Sequence, residues 1–244
     1  MAQDDSAQDD SRSGVMFGIS SRRGSIMRVG AENTTRVENG SGWSFERQFG
    51  RVHLHADYQP RRPDAMRRTL QSMPGRLRER LGGDFDFPEM HIAVFRDQER
   101  MRDYLHRHFP TLPQRQSLYL QRDGKIIVLA FESDQLMTDL RHEATHALLH
   151  HRFPTLPLWL DEGLAEYFEV PADLAGENPE HLRTLANARQ HGGIRSLEEV
   201  RKFADAGSMN QSMYRDAWYW TRYFLNDAKR NAYLRLFLAR HERR

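Results

Sequence analysis

The chain carries, at residues 140–169, the stretch LRHEATHALLHHRFPTLPLWLDEGLAEYFE. Its first half has the period of an amphipathic α-helix, which we expect to run over Gln135–His151. Pro154 and Pro157 cannot continue that helix, so they predict a turn. A second helix is then expected over Trp159–Glu169, because its apolar residues recur at helical spacing. The stretch therefore predicts two helices joined by a short loop.

Four side chains in this stretch suit the binding of a metal ion. His142 and His146 lie four residues apart, so on a helix both imidazoles can reach one ion. Glu143 lies beside them and can contact a water molecule on such an ion without being a ligand. A catalytic zinc site needs three protein ligands and one open position, so the third ligand must come from another element. Glu162 on the second helix is our candidate for that ligand.

Two motifs stand close together here, HEATH at residues 142–146 and WLDEGLAEY at residues 159–167. As a pair they resemble the motifs of the gluzincin zinc metallopeptidases, specifically the bacterial peptidase MA-like group. The resemblance implies that His142, His146 and Glu162 bind Zn²⁺ and that Glu143 is the general base. It also implies a zincin-like α+β fold and the hydrolysis of peptide bonds in a peptide or protein substrate.

Two further residues are candidates for supporting roles. Metal-bound imidazoles usually donate their second N–H to a carboxylate, and Glu166, one helical turn beyond Glu162, is our candidate partner for one histidine. The alternative for Glu166 is a solvated helix charge, and we expect Asp161 and Glu169 to face solvent. Gluzincins commonly stabilise the oxyanion with a downstream Tyr or His, so the resemblance suggests Tyr214, whose alternative is a core aromatic role.

The sequence before this stretch alternates between strand and helix patterns. The predicted elements are, in order, a strand at 51–56, a helix over 66–81 with a kink at Pro74, a strand at 91–95, a helix at 97–108, and a hairpin of 117–120 and 125–131 around an Asp-Gly turn. Such an order predicts an α+β fold, with a small mixed sheet, the metal-binding helix and a C-terminal helical subdomain.

The domain organisation follows from composition. We expect one metallopeptidase domain over residues 43–244, with the sheet and the metal-binding helix in 43–151 and a helical part in 152–244. Residues 1–42 are rich in Asp, Ser, Gly, Asn and Gln, which predicts a flexible segment. The segment Ala2-Gln3-Asp4-Asp5 after a lone Met looks like the start of a mature exported protein. We therefore expect a periplasmic or extracellular protein, with the cytoplasm as the alternative.

The absence of cysteine narrows the possible metal chemistry. It excludes a disulfide framework and any Cys-ligated site, so a metal would be bound by nitrogen and oxygen from the 12 histidines and 34 acidic residues. His53 and His55 share the polar face of a predicted strand, and one interpretation is that they form a two-histidine metal site. Two exposed histidines are the simpler interpretation. His150 and His151 lie in the last turn of a helix, where cations are favoured, and are not expected to be ligands.

Charge and hydropathy give expectations about partners. The net charge is +2, and the arginines are interleaved with Asp and Glu, so we expect no nucleic-acid partner. The apolar runs are too short to cross a bilayer, so we expect no membrane span, and the oligomeric state is left open. The alternative to a peptidase is a non-catalytic binding or scaffold module that zinc stabilises. Glu143 favours the enzyme, because a structural zinc site does not require it.

Overall fold

The computed structural model describes residues 42–110, 117–122, 125–190 and 193–242. In this part of the chain a five-stranded mixed sheet precedes a helical C-terminal region, which confirms the α+β prediction. The strands are β1 (Phe45–Phe49), β2 (Val52–Ala56), β3 (Met90–Phe95), β4 (Ser117–Arg122) and β5 (Lys125–Phe131). The helices are α1 (Pro63–Leu81), α2 (Gln98–His108), α3 (Leu136–Arg152), α4 (Leu158–Phe168), α5 (Pro179–Gln190), α6 (Leu197–Val200), α7 (Gln211–Leu225) and α8 (Ala228–Ala239). The predicted flexible N-terminal segment and the Asp-Gly turn at 123–124 lie outside the described residues, apart from residue 42.

The sheet has the strand order β1-β2-β3-β5-β4. The three central strands β2, β3 and β5 run parallel, and the outer strands β1 and β4 pair antiparallel to their neighbours. Strand β4 is therefore an edge strand of the described sheet, and it lies next to the strand that leads into α3.

One face of the sheet packs against α1 and α3 and forms the larger hydrophobic core. The predicted stripe on α1 is buried in it, and the helix runs without a break through Pro74. The strands contribute every second residue to this face, as expected for a half-covered sheet. These strand residues include Leu54, Ile92, Val94 and Val128.

The opposite face is covered in part by α2, which begins at the N-cap Asp97. A smaller apolar cluster fills the space between them, with Phe95, Met101 and Leu105 among its members. His53 and His55 also point to this side of the sheet. The expectation that both are exposed is wrong for His55, which is buried beside the ring of Trp43, whereas His53 is half-buried.

The C-terminal helices enclose α4. Gly163 brings α4 close to α7, because a Cβ at this position would overlap the hydroxyl of Thr221 and the carbonyl of Ala217. All residues from Trp159 to Phe168 are buried, because α4 packs against α3 as well as against α7. Among the described helices, we find none with the length and apolar character needed to cross a bilayer.

Candidate metal centre

Helices α3 and α4 bring the three predicted ligands to one point. The two Nε2 atoms of His142 and His146 are 3.3 Å apart, because residues four apart on α3 share a face. Glu162 Oε2, from α4, is 3.7 Å from His142 Nε2 and 3.7 Å from His146 Nε2. A tetrahedral zinc ion, with bonds of 2.0–2.1 Å, would set its ligand atoms about 3.3 Å apart. The donor set and its spacing therefore fit a zinc ion.

The other ring nitrogen of each histidine is bound to a carboxylate. His142 Nδ1 lies 2.8 Å from Glu169 Oε2, and His146 Nδ1 lies 3.0 Å from Asp161 Oδ1. Ionised carboxylates only accept hydrogen bonds, so both Nδ1 atoms carry the hydrogen. Metal binding requires neutral rings, and in these each Nε2 then presents a lone pair towards the other.

Glu162 adds to this concentration of lone pairs. Its Oε2 is buried and has no hydrogen-bond partner in the part of the chain that the structure describes. Two imidazole lone pairs and a carboxylate oxygen repel one another unless a cation lies between them. The buried Glu162 Oε2 without a hydrogen-bond partner therefore supports a metal ion at this point, because an ion would bind this oxygen.

The electric field at the centre favours positive charge. Burial by itself lowers the pKa of His146, but the charge and hydrogen bond of Asp161 outweigh burial and raise the pKa to about 10. For His142 burial acts in the same direction, and the carboxylates of Glu162 and Glu169 reverse it, so its pKa is also raised. The field that favours protons on these rings also favours a metal ion between them.

Glu143 lies on α3 between the two histidines and is completely buried. Its Oε1 accepts a hydrogen bond of 2.6 Å from the hydroxyl of Ser117, the first residue of β4. Its Oε2 is buried without a hydrogen-bond partner among the described residues. Burial raises the pKa of Glu143 to about 7. A carboxylate in this state can both take and return a proton near neutral pH.

The carboxylates that support the histidines differ from the prediction. Glu166, our candidate for this role, instead accepts a hydrogen bond of 2.7 Å from His181 Nε2. Asp161 and Glu169, expected to face solvent, hold the two histidines. The prediction assumed that α4 has one solvent-facing side, whereas the helix is buried on all sides. The spacing of Glu162 and Glu169 was a usable signal, since residues seven apart on a helix share a face.

Two interactions behind the histidines were missed from the sequence. Asn178 Nδ2 donates a hydrogen bond of 2.8 Å to Glu169 Oε1, so this carboxylate is fixed at both oxygens. His150 Nε2 lies 2.8 Å from Asp161 Oδ2, so Asp161 joins His146 to His150. Neither interaction has a local sequence signal, because each joins residues of separate elements.

Tyr214 lies in the first turn of α7 and is buried. It lines a cavity of about 190 Å³, together with Glu166, Glu169 and His181. Glu169 is the carboxylate that is hydrogen-bonded to His142, so Tyr214 and the carboxylate supporting one candidate ligand line the same cavity. An oxyanion-stabilising role for Tyr214 stays a prediction.

The comparison with known families gives one match. A profile of the family described as "Protein of unknown function (DUF1570)" matches residues 136–243. The matched segment begins with α3 and contains the three candidate ligands and Glu143, but none of the five strands. No curated protein matches the chain. The chain is thus similar to the DUF1570 family over the metal-centre helices and the helical region that follows them.

Proposed function

We propose that this protein is a zinc-dependent peptidase of the gluzincin type. One observation carries the proposal. The converging lone pairs of His142, His146 and Glu162 lie beside Glu143 Oε2, a buried oxygen without a hydrogen-bond partner among the described residues. This arrangement combines a three-ligand metal site with an adjacent proton acceptor.

Each residue has a distinct part in the proposed mechanism. Zinc bound by the three ligands would supply a Lewis acid that polarises the scissile carbonyl and lowers the pKa of water. Glu143 Oε2 takes the proton of the attacking water and returns it to the leaving amine. Ser117 donates a hydrogen bond to Glu143 Oε1, which fixes the carboxylate and leaves Oε2 to exchange the proton. Asp161 and Glu169 fix the tautomer and orientation of the two imidazoles.

The position of β4 supports a peptide substrate. It is an edge strand of the described sheet, and Ser117 links its first residue to Glu143. An extended peptide can add to such an edge through main-chain hydrogen bonds. A substrate bound this way would run past the proton acceptor.

The alternative is a non-catalytic module that zinc stabilises. The burial of the ligands favours it, since the exposed fractions are 6% for His142 and 2% for both His146 and Glu162. Two features favour the enzyme instead. The site has three protein ligands, whereas structural zinc sites usually have four. A structural site also has no use for the buried carboxylate of Glu143.

The test is zinc analysis and a broad peptide-library assay on wild type, Glu143→Gln and the control Glu198→Gln, an exposed acidic position on α6. We expect the three proteins to contain equal amounts of zinc. The kcat of Glu143→Gln should fall by at least about 100-fold, whereas that of Glu198→Gln should equal the wild-type value. If the zinc-loaded wild type cleaves no peptide of the library, the result favours the binding-module alternative over the peptidase. If His142→Asn contains as much zinc as wild type, the metal centre itself is refuted.

A further inference from the structure

A second group of nitrogen and oxygen ligands lies on the face of the sheet opposite α3. His53 in β2 and His91 in β3 are register partners on adjacent parallel strands. Their neighbours Leu54 and Ile92 point into the larger core, so the two imidazoles point to the other face. Glu89 directly precedes β3, and its carbonyl oxygen accepts a hydrogen bond of 2.9 Å from the backbone of Ile126. Three strands thus fix the backbone positions of these residues.

The ligand atoms of these three residues converge. Glu89 Oε1 is 3.7 Å from His91 Nε2 and 4.0 Å from His53 Nε2, and the three ligand atoms lie within 4.8 Å of one another. The two imidazole rings are stacked, with centroids 4.5 Å apart. Ligand atoms around a tetrahedral zinc ion are about 3.3 Å apart, so binding requires Glu89 and His53 to move closer and the stacked His53 ring to tilt towards the ion. The exposed fractions of the His53 and Glu89 side chains, 25% and 41%, leave room for these movements.

The hydrogen bonds behind His91 determine which of its ring nitrogens can bind a metal ion. His55 Nδ1 lies 3.1 Å from Glu46 Oε1, and a carboxylate only accepts, so this Nδ1 carries the hydrogen. In neutral His55 the Nε2 is then an acceptor, and it receives a hydrogen bond of 3.3 Å from His91 Nδ1. In a neutral His91 with this tautomer, Nε2 is the ring nitrogen that can bind a metal ion, and it is the nitrogen that lies near Glu89 Oε1. Their separation of 3.7 Å is too long for a hydrogen bond but suits two ligands of one ion.

We propose that His53, Glu89 and His91 bind a divalent transition-metal ion, with Zn²⁺ as the first probe. Two imidazoles and one carboxylate form a donor set suited to zinc and to other imidazole-preferring metals. The Nζ of Lys125 lies 3.8 Å from Glu89 Oε1 and provides a positive charge there when no ion is bound. Metal binding displaces this ammonium group. The ion joins β2 to β3 and stabilises the central sheet, independently of any peptidase activity.

The experiment is equilibrium dialysis of the untagged full chain against micromolar Zn²⁺, with metal analysis of the protein. We expect two bound ions in wild type, and one in each of His53→Gln and His142→Asn. The double variant should bind none. His106→Gln, at an exposed position on α2, is the matched control and should bind two. In the His142→Asn variant Zn²⁺ should raise the Tm, and in the double variant, which also lacks His53, Zn²⁺ should leave the Tm unchanged.

Two results would overturn this proposal. One is equal zinc content in His53→Gln and wild type, and the other is filling of the second site only at millimolar Zn²⁺. Circular dichroism checks that the variants are folded, and Glu89→Gln, at a partly exposed position, replaces His53→Gln if that variant fails to fold. The outcome is separate from that of the peptidase proposal, because His142→Asn and His53→Gln remove different ions.

Discussion

The α3–α4 centre (His142, His146 and Glu162) and the strand cluster (His53, Glu89 and His91) offer the same donors, two imidazoles and one carboxylate. They differ in their surroundings. All three candidate ligands of the α3–α4 centre are buried, whereas two of the three in the strand cluster are partly exposed. In the α3–α4 centre each imidazole is hydrogen-bonded to its own buried carboxylate.

The two sites therefore have the same donor atoms but differ in how firmly the surrounding residues hold the ligand side chains in place. In the α3–α4 centre the supporting carboxylates fix both imidazoles and have already been removed from water. Among the described residues of the strand cluster, only the His91 ring has a hydrogen bond on its far side, to His55, which in turn is bound to the exposed Glu46. A metal ion must order more side-chain freedom there, which costs affinity. We therefore expect the α3–α4 centre to bind zinc more tightly, and the following variants test that ranking.

The largest effect is expected from replacing the carboxylate ligands. Glu162→Gln exchanges a buried anionic ligand for a neutral amide. The zinc affinity of the α3–α4 centre should therefore fall by more than about 100-fold, which exceeds the loss of about 10–100-fold that is typical when a supporting group is removed. Glu89→Gln should reduce the affinity of the strand cluster less, because water can replace an exposed ligand. Competition with a chromophoric chelator measures both dissociation constants. Equal losses at the two sites would contradict the ranking by burial.

The two sites also differ in what the sequence could predict. The i, i+4 spacing of His142 and His146 is local, so helical periodicity was enough to bring them together. The pairing of His53 with His91 depends on the register of two strands that are distant in sequence, and no local pattern specifies it. The same limit applies to Asp161. Its contact with His146 depends on how α4 packs against α3, which periodicity alone does not give.

The α+β class, by contrast, followed from the order of periodic segments. The apolar stripe on α1 and the alternation in β2 predicted these elements to within a few residues, because hydrophobic burial determines both patterns. The burial of every side of α4 was not predicted. It depends on packing against both α3 and α7, and although Gly163 permits the close approach to α7, a glycine in a helix pattern does not identify the helix that packs against it.

An intermediate effect is expected from the supporting carboxylate of His142. Glu169→Gln leaves the shape of the site intact but lets the amide present its NH₂ to His142, so the ring loses its fixed tautomer. Supporting groups of this kind contribute about 10–100-fold to metal affinity. We expect a loss in that range, measured by the same chelator competition, with Glu198→Gln unchanged. A loss below about 3-fold would mean that Glu169 does not preorganise the ligand.

The smallest effect is expected from Glu46→Gln, the corresponding change behind the strand cluster. The Glu46 side chain is 59% exposed, and interactions of exposed charged groups are weak, so the zinc affinity of that cluster should fall by less than about 5-fold. The measurement uses the His142→Asn background, in which we expect zinc to bind at the strand cluster alone. A loss as large as that of Glu169→Gln would show that His55 transmits the full effect of its carboxylate to His91. The distinction between the two sites would then depend on the number of supporting carboxylates and not on their burial.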